Sequence, residues 1–238
     1  HTLQMLDVAS GWSECVAVLG RSYLVMRDGF EHIASRLPFE IHEIHPDNGA
    51  EFLNIHMVNY WRDKVKAEVS RSRPFYKNDN RFVEENNASL VRAYVGYGRL
   101  DTVAQTRLLN QLYDQLWLYH NLFQPVMRLS EKQWHDQKLK RIYDEAAPPL
   151  DRLCKTNALA PQKKQELLTL RQNTNPMKLR LDIESLLTRL SALPCAKEGI
   201  VVEDVRLSLF HSDHDTPIAN PKRPERSVKK RSSKNTGK

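Results

Sequence analysis

The chain has 238 residues, 40% of them hydrophobic and 8% aromatic, enough to bury the core of one large or two small domains. Its net charge of +7 sits at one end: Lys222 to Lys238 holds eight Lys or Arg and one Glu, so residues 1–221 sum to zero. No apolar run approaches the roughly 18–20 residues of a membrane span, no glycine-rich phosphate loop occurs, and Cys15, Cys154 and Cys195 form no Cys-x-x-Cys pair, which argues against a membrane protein, a nucleotide hydrolase and a zinc module, and for a reducing, cytoplasmic setting.

In chain order, Thr2 to Val8 and Ser13 to Leu19, split by Ala9-Ser10-Gly11, predict a β-hairpin with Gly in its turn. Asp7 falls toward the end of the first of these strands, where it either forms the turn or offers a carboxylate. From Ser22 to Leu37, Met26, Phe30, Ile33 and Leu37 recur at helical spacing, and Pro38 stops the helix. Phe39 to His45 predicts a strand, although His42, Glu43 and His45 interrupt what should be a buried run. His42 and His45 would point to opposite strand faces and are read as ordinary polar groups rather than metal ligands.

Asp47 closes that strand, and Asn48-Gly49 opens a helix with Asn48 as N-cap and Glu51 as its capping-box partner. Leu53, Met57, Tyr60 and Trp61 give this helix a buried stripe, and Val65 to Val69 reads as a short strand. Arg71-Ser-Arg-Pro-Phe-Tyr-Lys-Asn-Asp-Asn80 combines Arg71, Arg73 and Lys77 with two aromatics and turn formers, as suits a loop touching a phosphate backbone. Glu84 then lies in the first turn of a further helix, where the dipole favours an anion. That helix is expected to bury Val83, Leu90, Tyr94 and Tyr97, with Arg92 about two turns beyond Glu84 on the same side. Two carboxylates from distant segments, Asp47 and Glu84, are what hard divalent cations need for oxygen ligation.

Val103 to Phe123 carries a wide apolar stripe, Leu109, Leu112, Tyr113, Leu116, His120 and Phe123, which makes His120 a core residue. Residues 126–160 mix Lys, Arg and Trp134 with Pro148-Pro149 and read as a linker with short helices. Pro161 to Arg171 and Pro176 to Leu193 predict amphipathic helices that pack on each other or on a partner chain. Glu198 to Phe210 suggests a strand or two, and 211–238 has too little apolar content to fold and would bind nucleic acid through its charge.

Four ordered stretches, Thr2 to Glu14, His45-Pro-Asp-Asn-Gly-Ala-Glu-Phe52, Ser70-Arg-Ser-Arg-Pro74 and Lys77 to Asn87 with its Val-Glu-Glu-Asn-Asn, resemble the catalytic core of bacterial DDE-type transposases of the integrase superfamily. The resemblance implies an α/β, ribonuclease-H-like mixed sheet flanked by helices over residues 1–125, a mainly helical region over 126–210 and a disordered basic tail over 211–238. It implies a site of Asp, Asp and Glu holding two Mg²⁺ or Mn²⁺ ions, with Asp47 as the second Asp and Glu84, rather than Glu85, as the Glu.

The family's first Asp belongs on a first strand that has no counterpart before His1, so the chain is expected to be a fragment beginning just after it, with Asp7 as the nearby substitute. The resemblance further implies phosphodiester cleavage and strand transfer, DNA contacts from Arg71, Arg73, Lys77, Arg81 and Arg92, and a homo-oligomer assembled on element ends and target DNA in the bacterial cytoplasm. An inactive remnant that only binds nucleic acid or a partner, and a nuclease without strand transfer, are the alternatives.

Overall fold

A computed structural model describes residues 1–46, 54–70, 87–135 and 138–196. Strands β1 (Thr2–Leu6) and β2 (Ser13–Ala17) form the expected antiparallel hairpin, with Leu3 opposite Val16 and Gln4 opposite Cys15. The turn is built by Asp7. Its carboxylate accepts hydrogen bonds from the Ser10 amide at 2.8 Å and the Ser10 hydroxyl at 2.5 Å, and its backbone carbonyl accepts from Gly11, whose φ of 82° suits glycine. Asp7 is thus a turn former.

Helix α1 (Tyr23–Arg36) starts at Ser22, whose side chain accepts from the Val25 amide, and it ends at Leu37. It buries Val25, Met26, Phe30 and Ile33 against Leu3, Val16 and Val18 of the hairpin. Gly29 permits the close approach, because a Cβ there would lie 2.6 Å from Leu3 Cδ1.

Strand β3 is shorter than expected. Only Glu43–Ile44 pairs, in parallel, with Glu68–Val69 of β4. The polar His42, Glu43 and His45 are exposed, and the apolar Phe39, Ile41 and Ile44 are only half-buried, so the segment lacks the buried run that would hold a longer ladder.

Between them, α2 (Ile55–Asn59) is capped by Asn54, whose side chain accepts from the Met57 amide; the expected Asn48 cap and its partner Glu51 lie outside the described residues. The helix widens into a π-helical stretch, Tyr60–Val65, and stops at Lys66 with φ 65°. Met57, Tyr60 and Trp61 are buried as the spacing predicts, in the cluster that also holds α1 and the hairpin. Ile44 and Val69 pack against the same cluster. The antiparallel pair and the parallel pair therefore share one core, yet they are not hydrogen-bonded to each other.

Helix α3 runs as π-helical turns over Asn87–Arg92 and continues as Ala93–Val95. It buries Leu90 and Val91, but Tyr97 is 83% exposed, contrary to expectation. Gly96, with φ 71°, ends the helix before Tyr97 can join its stripe.

Helix α4 (Val103–Leu122) opens with a capping box between Thr102 and Gln105. It buries Leu109, Leu112, Tyr113, Leu116 and His120 as expected.

Residues 126–160 differ most from the sequence reading. Strands β5 (Leu129–His135) and β6 (Lys138–Tyr143) make a second antiparallel hairpin where a linker is predicted, closed at its base by a bridge between Val126 and Ala147. Polar residues on both faces give it little of the alternation that marks a half-buried strand. The short α5 (Pro149–Leu153) buries Leu150 and Leu153 with Trp12 and Leu122. Helix α6 (Pro161–Asn173) adds Leu167 to that cluster, and α7 (Pro176–Ala192) packs Ile183, Leu186 and Leu190 on α4.

The fold is mixed α/β, with three two-stranded sheets among the described residues. No helix among them is long and apolar enough to cross a membrane.

Candidate functional site

Asp47, Arg71, Arg73, Lys77, Arg81 and Glu84 lie outside the described residues, as do Val83, Glu85, residues 198–210 and the basic tail. What is described is the frame from which their segments leave. At the end of β3, the Ser70 amide donates to the Ile44 carbonyl at 3.0 Å, and the Ser70 hydroxyl shares a hydrogen bond of 2.8 Å with His45 Nδ1. His45 precedes Pro46 and the candidate Asp47, and Ser70 precedes the Arg71 loop. The departure points of the two candidate segments are therefore side by side on one parallel ladder, at the carboxyl ends of both strands. Ligand sites of open α/β sheets favour that position.

Arg92 is the described member of the predicted DNA-contact set. It is exposed, with its guanidinium 4.9 Å from the ring centroid of Tyr97. It lines a cleft of about 440 Å³ together with His1, Thr2, Gln4 and Tyr113, at the β1 end of the molecule. Arg92 is thus a solvent-facing cation beside the first hairpin.

A polar centre not singled out in the sequence lies under the first hairpin. Glu14, 1% exposed on β2, accepts from the indole N–H of Trp12 at 3.2 Å and from that of Trp117. Arg36 Nε stands 3.2 Å from its other oxygen, and Arg36 also binds Asp114 at the surface. Burial raises the Glu14 carboxyl to about 7, against the opposing pull of Arg36 and the two indoles. Its sequence signal is a carboxylate two residues after Trp12 in an otherwise apolar strand. The indole and guanidinium partners tie β2, α1 and α4 together, a structural role.

Two further buried groups, His120 and Cys15, are occupied or inert. His120 is 3% exposed, donates from Nε2 to the Gly11 carbonyl at 3.3 Å, and is held below the usual histidine range by burial. Burial pushes the Cys15 thiol up to about 12, far from a reactive thiolate. Among the described residues no group of three or more His, Cys, Asp or Glu could hold a metal ion.

No protein-family model matches the chain. The uncharacterized protein y4rM of Sinorhizobium fredii (strain NBRC 101917 / NGR234) is 38% identical over 152 residues, 64% of this chain and 43% of that protein. The chain thus spans less than half the length of the relative it matches.

Proposed function

We propose that this chain is part of the catalytic core of a DDE-type DNA transposase or integrase. The observation that carries the reading is the ordered set of motifs from Thr2 to Asn87, with Asp47 in His-Pro-Asp-Asn-Gly-Ala-Glu-Phe and Glu84 in Val-Glu-Glu-Asn-Asn.

Two features of the fold support it. An antiparallel pair followed by a helix and a parallel pair, all packed on one core, agrees with part of the strand order that the resemblance implies. The junction of His45 with Ser70 supports a common site for the segments carrying Asp47 and the Arg71 loop.

Two carboxylates from separate segments form a hard oxygen donor set that fits Mg²⁺ or Mn²⁺. Asp47 and Glu84 would hold the ions, together with the third carboxylate that the resemblance implies. When bound, such a metal pair supplies activation of the attacking hydroxyl and neutralises charge at the leaving oxygen of a phosphodiester. Arg71, Arg73, Lys77, Arg81 and Arg92 would seat the DNA backbone, fixing its register while carrying no sequence information themselves.

The turn-forming hydrogen bonds of Asp7 favour a structural role for that carboxylate over metal ligation. A protein whose upstream segment brings no Asp would bind DNA without joining it. The test is a strand-transfer assay on the complete reading frame, with labelled element ends and target DNA. Joined product with Mg²⁺ or Mn²⁺ and none with EDTA supports the reading. Specific binding without joining in either metal points to the remnant, and hydrolytic nicking alone points to a nuclease.

A further inference from the structure

We propose that the β5–β6 hairpin is a DNA-binding arm whose Trp134 face lies on the nucleic acid. The choice of DNA as the polyanion rests on the transposase reading; the surface itself is read from the hairpin.

From Arg128 to Tyr143 the sequence holds five Lys or Arg and two acidic residues. Pairing sorts the side chains. Lys132 stands opposite Arg141 and Trp134 opposite Leu139, so alternation puts Lys132, Trp134, Leu139, Arg141 and Tyr143 on one face. That face is open: Trp134 is 74% exposed, Tyr143 46% and Leu139 39%, and Lys132 and Arg141 are exposed beside them. Among the described residues it carries two cations and no carboxylate, while Glu131 lies on the opposite face and accepts from Gln133 Nε2 at 3.0 Å.

A tryptophan left in water has given up one of the largest apolar burials a residue can make. Here no core claims it. The paired cations Lys132 and Arg141, one rung from Trp134, repel a second copy of the same face and attract a polyanion, and an aromatic beside cations is the arrangement on which nucleic acid bases stack while phosphates are neutralised. A two-stranded ribbon also has the width to enter a major groove.

The arm has a fixed base. Arg152 donates from Nη2 to the carbonyls of Val126 and Glu145, both at 2.7 Å, and from Nε to Ala147 at 3.3 Å. It also pairs with Asp144, which accepts from the Arg128 amide at 2.7 Å. Leu150 and Leu153 then seat this base in the Trp12 core. A strapped base beside an open face suits an arm that meets a large partner.

Trp134 supplies its own readout, because Trp12 and Trp61 are buried and Trp117 partly so. The full chain is titrated, in EDTA to silence catalysis, with duplex and with single-stranded oligonucleotides while tryptophan fluorescence and labelled-DNA anisotropy are followed. The arm predicts that DNA quenches the exposed tryptophan, that Trp134→Ala removes the quench and weakens binding by roughly tenfold, and that Lys132→Gln with Arg141→Gln flattens the salt dependence by roughly two phosphate contacts. Stronger quenching by one DNA form assigns the arm to base stacking or to the duplex groove. Unquenched fluorescence on saturation with DNA, or variants that bind with wild-type affinity and salt slope, overturns the proposal. Joining that survives in those variants would then leave the transposase reading standing without the arm, whereas tryptophan-dependent binding with no joining in any metal would keep the arm and remove the catalytic reading.

Discussion

Asn121 on α4 forms both of its amide hydrogen bonds with the backbone of one residue, Ser13: its Oδ1 accepts from the Ser13 amide and its Nδ2 donates to the Ser13 carbonyl, each at 2.9 Å. Asn110, three turns earlier, does the same for Ala17, at 2.7 and 3.0 Å. The two asparagines stand in for a neighbouring strand along the free edge of β2, so the helix satisfies the donors and acceptors that an edge strand leaves open. Asn121→Leu should strand a buried amide and carbonyl and lower unfolding free energy by about 2–4 kcal/mol, measured by urea denaturation. Asn110→Leu, at a half-buried site, should cost less. A loss below about 0.5 kcal/mol for Asn121→Leu would show that water or a shifted helix replaces it.

Glu14 makes stability depend on pH in an unusual direction for a carboxylate. Its folded pKa is raised by burial from 4.5 to about 7, so between those values the folded chain holds a proton that the unfolded chain has lost. Stability from this group is full below about 4.5 and is lost as pH rises through about 7. Arg36, Trp12 and Trp117 face the carboxyl, and Asp114 lies beyond Arg36. Melting temperatures at pH 5 and pH 8 should therefore differ more in the native chain than in Glu14→Gln, which keeps an acceptor for the indoles but cannot ionise. Equal differences in the two proteins would mean that Arg36 keeps Glu14 ionised throughout.

Arg152→Gln should loosen the base of the second hairpin. Three backbone carbonyls and Asp144 depend on that one guanidinium. Hydrogen exchange should accelerate at the amides of Val126, Arg128 and Ala147 and stay slow in α1. Arg152→Lys should resemble Arg152→Gln, since an ammonium cannot reproduce the planar fork. Unchanged exchange at Val126 and Ala147 would place the anchor in the α5 packing instead.

Legibility followed hydrophobic spacing. Helices α1 and α4 are long, periodic and capped by Ser22 and Thr102, so their limits and stripes emerge from residues alone. The first hairpin is marked by Gly11 and by Leu3, Val16 and Val18. Strand β3 is harder to judge, because its short ladder is held by a parallel partner 24 residues away, from Ile44 to Glu68, rather than by its own pattern. The second hairpin is hidden for another reason: Lys132 and Arg141 interrupt the face that carries Trp134, Leu139 and Tyr143, and its base is specified by the non-local Arg152 cluster. At the candidate site the motifs name Asp47 and Glu84, whereas the link of His45 to Ser70 comes only from folding. Glu14 is the opposite case, a charge in a strand whose partner Trp12 stands only two residues away in the sequence.

The proposed activity requires Asp47 and Glu84 to act on one phosphodiester. The direct measurement is strand transfer by the complete reading frame carrying Asp47→Asn or Glu84→Gln, each of which removes a carboxylate charge at nearly constant size. Both variants should bind element-end DNA about as tightly as the native protein and form no joined product with Mg²⁺ or Mn²⁺. Joining at native levels by either variant would contradict the account.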